Sequence, residues 1–588
     1  MNVIGIHDGH NASVAVVQNG RVIAACQEER LSRVKNQGGT PLQALEETFR
    51  LGGMTSFDQV DQVVVAGTIS QPPYITRTDV LQDYANMRRF GKSWLGGLRA
   101  ISADNQLFRK LRAFSQGQRQ INQAQSLRAT SLAKAGVPIE KITFVDHHTA
   151  HASSAYYGMA DYDNKILVLT NDGAGDGICA TVNVGHGGRL KRIRAISEDN
   201  SLATIYAMVT YIMGMTPLEH EYKIMGLAPY YKGDLDNNPV YQGLLELFDW
   251  NHDDPMQWRR RTGVPRVGYL WNYLDDLLTI ERFDTIAAGL QGFVEHFLME
   301  WVMRCVRETG LSRLAVSGGT FMNVKANQAI LSLPEVDELF VFPSCGDETN
   351  SVGAAYWYYA NKKLTANERV DIDPVGPIYW GGEFHDNDIE SILNTYNFVA
   401  KDVRWEKYDD VEGKVAELLA DGQVVARFKG RMEFGARALG NRSILANASK
   451  PNVVRYINDI IKSRDFWMPF APSVLADCST DYFRKPKSAK ACYMVMSFDT
   501  ISNKRKNIFA ALHPQDGTAR PQEVYPDDNP DYESLLRKYQ SISGDGAILN
   551  TSFNLHGYPL VYSPDDALKV FDESGLEYLA LGNFIVAK

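Results

Sequence analysis

One pattern of strand, polar loop and hairpin occurs twice in this chain, about 160 residues apart, and that repetition restricts the folds open to it. In the first copy residues 3–6 are apolar, His7-Asp8-Gly9-His10 is a polar loop, and the apolar runs 12–17 and 22–26 flank Asn19-Gly20. Asn-Gly between two such runs predicts a β-hairpin, because both turn positions need positive φ. In the second copy residues 166–169 are apolar and Asn171–Gly177 (NDGAGDG) is a Gly/Asp loop; a strand over 178–184, the turn Gly187-Gly188 and another strand from Leu190 follow. The expectation is a duplicated α/β unit.

The rest of the chain fits around that pair. Between the copies, residues 72–136 have helical periodicity and carry eleven Lys or Arg against three Asp. A solvated helical insertion is the plain reading, and a lid that draws in an anionic substrate is the sharper one. Apolar residues recur at three and four over 282–309, which predicts a helix. Composition turns turn-rich around 364–388, where a domain boundary is expected. The remaining 386–588, with strands near 424–428 and 547–549, reads as a second α/β domain. With 588 residues the chain has room for two large domains. Its 44% apolar and 22% charged content excludes a disordered chain or a coiled-coil rod, and a net charge of -9 argues against non-specific nucleic-acid binding. No apolar run is long enough to span a bilayer, and no basic, apolar leader opens the sequence. Six scattered cysteines without a CxxC pair read as reduced thiols, so the expected location is cytoplasmic.

Three groups of residues could carry chemistry. Asp146-His147-His148-Thr149-Ala150-His151 places His147 and His151 four apart, on one face of a helix, where both imidazoles can share a metal ion. Asp172 and Asp347 are carboxylates available to complete such a site, and this ligand chemistry suits Fe(II) or Zn(II). Core histidines beneath a helix cap are the alternative. Second, Asp8-Gly9, Asp172-Gly173-Ala174-Gly175, Ser317-Gly318-Gly319 and Cys345-Gly346-Asp347 each follow an apolar run. Glycine lets backbone N–H groups approach phosphate oxygens, so a nucleotide or acyl-phosphate cleft is expected; tight turns are the alternative. Third, the stretch from Lys429 to Ser443 (KGRMEFGARALGNRS) sets four cations among glycines, a pattern suited to an anionic substrate. Asn550-Thr551-Ser552-Phe553-Asn554 adds amide and hydroxyl groups able to read a planar, urea-like group. No GxSxG elbow and no GxxxxGK[ST] loop occurs.

Taken together, DGHNAS, QEERLSRVKN, DHHTAHASSAYY, NDGAGDG, EYKIMGLAPY, SGGTFMNVKANQ, FPSCGDETNSVGAA, GRMEFGARALGNRSILA, FWMPFAPSV and ILNTSFN resemble, in order, the O-carbamoyltransferases of antibiotic and nodulation-factor biosynthesis. The resemblance implies an N-terminal domain (1–375, with the insertion 72–136) of actin-like ASKHA type, built of paired ribonuclease-H-like halves. It also implies a YrdC-like C-terminal domain (386–588). Carbamoyl phosphate and ATP would give carbamoyl adenylate in the second domain. A small-molecule alcohol would accept the carbamoyl group at the first.

By position, the resemblance implies His147, His151, Asp172 and Asp347 as metal ligands, with Mg2+ accompanying ATP. Gly318, Gly319 and Asn323, together with Gly173 and Gly175, would form the nucleotide loops. Lys429, Arg431, Arg437, Arg442, Asn550 and Ser552 would clamp carbamoyl phosphate and ATP. His7, Asp8, His10, Glu221 and Lys223 would line the acceptor pocket, with His7 or Asp8 as base, and Arg464 and Asn554 would add substrate contacts. The chain departs from many relatives at Ala436, where Pro is frequent, and at Tyr231, where Gly is. A tRNA threonylcarbamoyl-type enzyme is the alternative within the same fold. The resemblance allows a homodimer without fixing the oligomeric state.

Overall fold

Each copy of the repeated pattern folds into its own five-stranded sheet. The computed structural model describes residues 1–69, 76–92, 121–400, 402–462 and 465–588. In the first sheet β1 (Asn2–His7), β2 (Ser13–Gln18) and β3 (Arg21–Gln27) form antiparallel hairpins, and β4 (Gln62–Ala66) and β5 (Ile142–Val145) extend the other side of β1 in parallel. The Asn19-Gly20 turn closes as expected, with φ of 49° and 81°. In the second sheet β6 (Ile166–Gly175), β7 (Ile178–His186) and β8 (Arg189–Ser197) are the hairpins. A small pair, β9 (Phe248–Trp250) and β10 (Trp258–Arg260), intervenes before the parallel β11 (Arg313–Ser317) and β12 (Glu338–Val341). The orders β3-β2-β1-β4-β5 and β8-β7-β6-β11-β12 are therefore the same topology twice.

Helices His147–Met159 and Asn350–Thr365 fill the space between the sheets, and two glycines set how closely. A Cβ on Gly5 of β1 would fall 1.8 Å from the Ser351 carbonyl oxygen, and one on Gly353 would fall 1.9 Å from that of Ala150. Backbones in that contact leave no room for a side chain. The expected long helix is Phe283–Thr309, stopped by Gly310 in the left-handed region at φ 68°.

The structure changes one local expectation. Residues 171–177 are not a free loop: β6 runs on to Gly175, which pairs with Ile178, and residues 172–174 bulge from the ladder. The cause is the turn. Asp176 (φ 53°) and Gly177 (φ 82°) close a tight hairpin that restores pairing immediately beyond the bulge.

The chain divides into two compact units, 1–28 with 36–375 and 29–35 with 376–588. Residues 29–35, from the QEERLSRVKN motif, thus belong to the second unit although they lie early in the sequence. Arg30 donates to the Gly435 carbonyl at 2.6 Å, and Arg33 donates to that of Pro559 at 3.2 Å and pairs with Asp566 at 3.3 Å.

The second unit is built on an eight-stranded mixed sheet. Its strands are β13 (Arg404–Lys407), β14 (Val425–Phe428), β15 (Arg442–Ala446), β16 (Ala471–Leu475), β20 (Gln522–Val524), β21 (Ala547–Ser552), β22 (Tyr578–Leu581) and β23 (Phe584–Ala587). They lie in the order β13-β23-β22-β14-β15-β21-β16-β20, and β17 (Phe483–Arg484), β18 (Phe498–Thr500) and β19 (Thr518–Ala519) form a separate small sheet. Helices Val411–Ala420 and Pro530–Ser543 bury Val415, Leu419, Leu535 and Leu536 against Leu445 and Ile548 of the large sheet. Among the described residues no helix is long and apolar enough to cross a membrane, and none of the six cysteines forms a disulfide.

Candidate functional site

The DHHTAH stretch is helical from its first histidine. The Asp146 carboxylate caps helix His147–Met159 by accepting the Thr149 N–H at 2.8 Å, and Arg192 of β8 pairs with the same carboxylate. One turn apart, the His147 and His151 rings face the same point, each fully buried. There they meet Asp172, from the bulge in β6, and Asp347, from the turn after β12. His147 Nε2 lies 3.0 Å from Asp172 and 3.5 Å from Asp347, and His151 Nε2 lies 3.3 Å from each. One donor atom from each of the four residues falls within 4.8 Å of all the others. Two imidazoles and two carboxylates converging in this way form a donor set that can hold a divalent transition metal.

The electrostatics follow from that convergence. Burial alone would lower His151, but hydrogen bonds to Asp172 and Asp347 outweigh it and bring the imidazole up to about 9. The same balance raises His147, whereas Asp172 is held well below the usual carboxylate range because its bonds to the two imidazoles outweigh burial. A cation in their midst would take over the charge that those protons now supply.

Around the cluster stands a second layer. Ser317 Oγ is 3.2 Å from His151 Nδ1, Asn350 Nδ2 is 3.1 Å from His151 Nε2, and the Gly319 N–H donates to Asp172 at 3.1 Å. The third histidine of the stretch turns elsewhere: His148 bonds Thr170 Oγ1 at 2.8 Å and the Ile178 carbonyl at 2.9 Å, and burial lowers it to about 3. It is a neutral core residue.

His7, at the end of β1, approaches Asp347 at 3.7 Å and has Nε2 3.0 Å from the His10 carbonyl. Burial lowers its imidazole to about 4, and its Nδ1 has no hydrogen-bond partner among the described residues. Its neighbour Asp8 is committed elsewhere, to a two-pronged ion pair with Arg128 at 2.6 and 2.8 Å. Sequence reasoning counted Arg128 only as one cation of the basic insertion; no local signal pairs it with Asp8. Leu218, in the left-handed region at φ 62°, meets two of the residues expected in the site. Its carbonyl lies 3.2 Å from His10 Nε2, and its N–H donates to Glu221 at 2.7 Å. Burial raises Glu221 to about 7, and Lys223, two residues on, is 7% exposed. Asn323 caps helix Val324–Ser332 and exchanges hydrogen bonds of 3.0 Å with Gln291. Gly318 adopts φ 110° against the Asn171 backbone, which excludes a side chain there.

In the second unit the cations after β14 are organised by one loop. Lys429 lies 3.0 Å from Glu412 and 3.5 Å from Asp531. Arg431 donates to the carbonyls of Trp380 at 2.8 Å and Gly381 at 3.1 Å. Arg442, fully buried, stacks 3.7 Å over Phe428 and donates to the carbonyls of Gly430 and Asn441; burial lowers it to about 10. Asn550 reaches the Ala438 carbonyl at 3.2 Å, and Lys462 draws Ser552 and Asn554 together at 2.9 Å each. Three buried polar atoms on or beside this loop (Glu433 Oε2, Arg442 Nε and Asn550 Oδ1) have no partner among the described residues. Such a gathering marks a place where polar atoms await a ligand or water. Arg437 is half-buried on the same loop, and Arg464 lies outside the described residues.

Comparison with known proteins gives a family match in each half of the chain. The carbamoyltransferase N-terminus family matches residues 2–356, and the carbamoyltransferase C-terminus family matches 416–588. The chain belongs to the carbamoyltransferase family. Relatives include sll1178 of Synechocystis sp., 30% identical over 624 residues and covering 98% of this chain and 95% of that one. Nodulation protein NolNO of Sinorhizobium fredii is 28% identical over 596 residues, covering 98% and 79%. Among solved structures, component A of (R)-2-hydroxyglutaryl-CoA dehydratase from Acidaminococcus fermentans aligns with a TM-score of 0.33 at 12% identity, covering 62% of this chain and 99% of that one.

Proposed function

We propose that this carbamoyltransferase is ATP-dependent and O-specific. In this reading the second unit converts carbamoyl phosphate, ATP and one water to carbamoyl adenylate, pyrophosphate and phosphate, and the first unit passes the carbamoyl group to a hydroxyl of a small-molecule alcohol with release of AMP. The observation that carries it is the four-donor cluster of His147, His151, Asp172 and Asp347 with His7 beside it. The residues fit Fe(II) or Zn(II), and the ion would supply Lewis acidity toward a carbonyl or phosphoryl oxygen.

In the transfer step the acceptor oxygen forms a bond to the carbamoyl carbon, the bond from that carbon to the AMP oxygen breaks, and the hydroxyl proton must leave. His7 is the base we assign. Its imidazole offers an unpartnered Nδ1, while Asp8 is neutralised by Arg128. Glu221, Lys223 and His10 shape the acceptor side, and Gly173, with nothing within 4 Å of where a Cβ would stand, leaves open space for the nucleotide beside Gly318, Gly319 and Asn323. In the second unit Lys429 and Arg437 meet the anionic substrates. Arg431 and Arg442, occupied by backbone carbonyls, hold the loop in shape for them. A YrdC-like character of this unit and an ASKHA character of the first are the architectures that suit this division, with Mg2+ accompanying ATP.

The test is a separation of steps. With carbamoyl phosphate, ATP and Mg2+, labelled pyrophosphate should exchange into ATP. His147→Ala should keep that exchange and lose transfer, whereas Arg437→Ala should lose exchange. If neither wild type nor variants exchange label in a folded, metal-loaded sample, adenylation is wrong.

A further inference from the structure

Residues 66–69, which leave the C-terminal end of β4, are gripped from two sides. Their carbonyls face the helical residues around 125–128. Arg128 donates to Ala66 at 2.8 Å and Gly67 at 2.6 Å while lying 5.0 Å over the Phe144 ring, and Gln125 donates to Thr68 at 3.4 Å. The N–H groups of Thr68 and Ile69 point instead to one carboxylate, while that of Gly67 bonds the Val145 carbonyl. Asp176 accepts Thr68 N–H at 2.9 Å and Ile69 N–H at 2.7 Å. The same carboxylate accepts the N–H of His147 at 2.8 Å.

That third bond matters because of where it falls. The first N–H groups of a helix have no partner within it, and Asp146 already serves Thr149; Asp176 takes the group on the histidine itself. Asp176 belongs to the turn that carries Asp172 four residues upstream, so one short segment supplies a carboxylate to the cluster and holds the backbone of a histidine in it. Gly175 completes the seat. A Cβ there would stand 2.2 Å from His147 Cδ2, so the imidazole rests directly on the backbone.

We propose that Asp176 is a positioning residue for the metal centre. It locks the start of helix His147–Met159 to the turn bearing Asp172, and through residues 66–69 and Arg128 it joins both to the end of the basic insertion. This inference rests on the reading of the four-donor cluster as a metal site. The physical case is that ligands must be held to within a fraction of an ångström, and groups outside the ligand set do that work. A carboxylate receiving three N–H bonds is a stiff anchor.

The experiment is titration of the full-length, metal-depleted chain with Co(II), read by its ligand-field absorption without substrate. Asp176→Ala should weaken Co(II) by about tenfold or more and alter the band shape. Asp176→Asn, which keeps an acceptor oxygen, should recover part of both. Arg128→Gln should shift the band in the same direction by less. A folded Asp176→Ala with wild-type affinity and spectrum, only lower in Tm, would overturn the proposal, and if that variant does not fold, a wild-type Asp176→Asn spectrum would do so. If the wild-type chain itself takes up no Co(II), the metal reading fails and this inference with it, a result distinct from an unchanged variant.

Discussion

The two sheets of the first unit share a topology yet use the same position differently. At the end of β1 the chain opens into residues 8–12, where His7 faces the cluster and Asp8 is locked to Arg128. In β6, the corresponding strand, the chain closes at once through Asp176-Gly177, and the bulge just before that turn presents Asp172 to the two histidines. Duplication has thus kept the scaffold and divided the chemistry: one copy offers a neutral imidazole and a neutralised carboxylate, the other a carboxylate held ionised. What decides the difference is the company each aspartate keeps. A guanidinium 2.6 Å away occupies the first, and two imidazoles at 3.0 and 3.3 Å aim the second.

The largest expected effects come from exchanging that company. Asp172→Ala should reduce Co(II) affinity by more than about 100-fold, since it removes one of the four donors. Asp8→Ala should differ. Metal affinity should stay within about twofold, but a nine-tenths-buried Arg128 would lose its counter-charge, at a cost of about 3 kcal/mol read as a fall in Tm. If Asp8→Ala instead strips the metal, the division between the copies is misdrawn. Metal titration and calorimetry on the two variants decide it.

The glycines of the NDGAGDG segment sharpen the same comparison at smaller amplitude. Gly175→Ala would push a methyl group into the His147 ring, so Co(II) affinity should fall about tenfold. Gly173→Ala meets nothing within 4 Å, so Co(II) affinity should hold. Equal losses from both would mean that the segment acts as a flexible loop rather than a seat and an opening.

How much of this could be read from the sequence differs by the range of the interaction. The hairpins were legible because Asn19-Gly20 and Gly187-Gly188 encode their own turns, with φ positive at all four residues. The pairing of His147 with His151 was legible from helical spacing. That Asp172 and Asp347 complete the group was legible from the residues themselves only as available chemistry, and as a ligand set only through the family resemblance, because they reach it through strands joined far apart in sequence. Residues 171–177 were misread as a loop since glycines suggest looseness, whereas the register of β7 draws them into the sheet. Arg128, Asp176 and the membership of residues 29–35 in the second unit left no local signal. A buried ion pair, a carboxylate shared by three backbone N–H groups and a seven-residue excursion are all defined by what arrives from elsewhere in the chain.

Glu221, in the helix Glu221–Leu227 that follows the second copy, should make stability depend on pH. Burial brings this carboxyl from its ordinary value of 4.5 up to about 7. A raised acid favours folding while it is protonated, so the contribution is fully present below about pH 4.5 and is lost as pH rises through 7. Wild type should therefore lose up to about 3 kcal/mol from this group between pH 4.5 and 8. Glu221→Gln, which keeps the acceptor for the Leu218 N–H but cannot ionise, should lose none of it. The variant should match wild type in Tm near pH 5 and exceed it by a few degrees at pH 8. A difference that is the same at both pH values would mean that the Glu221 charge is compensated in the folded chain.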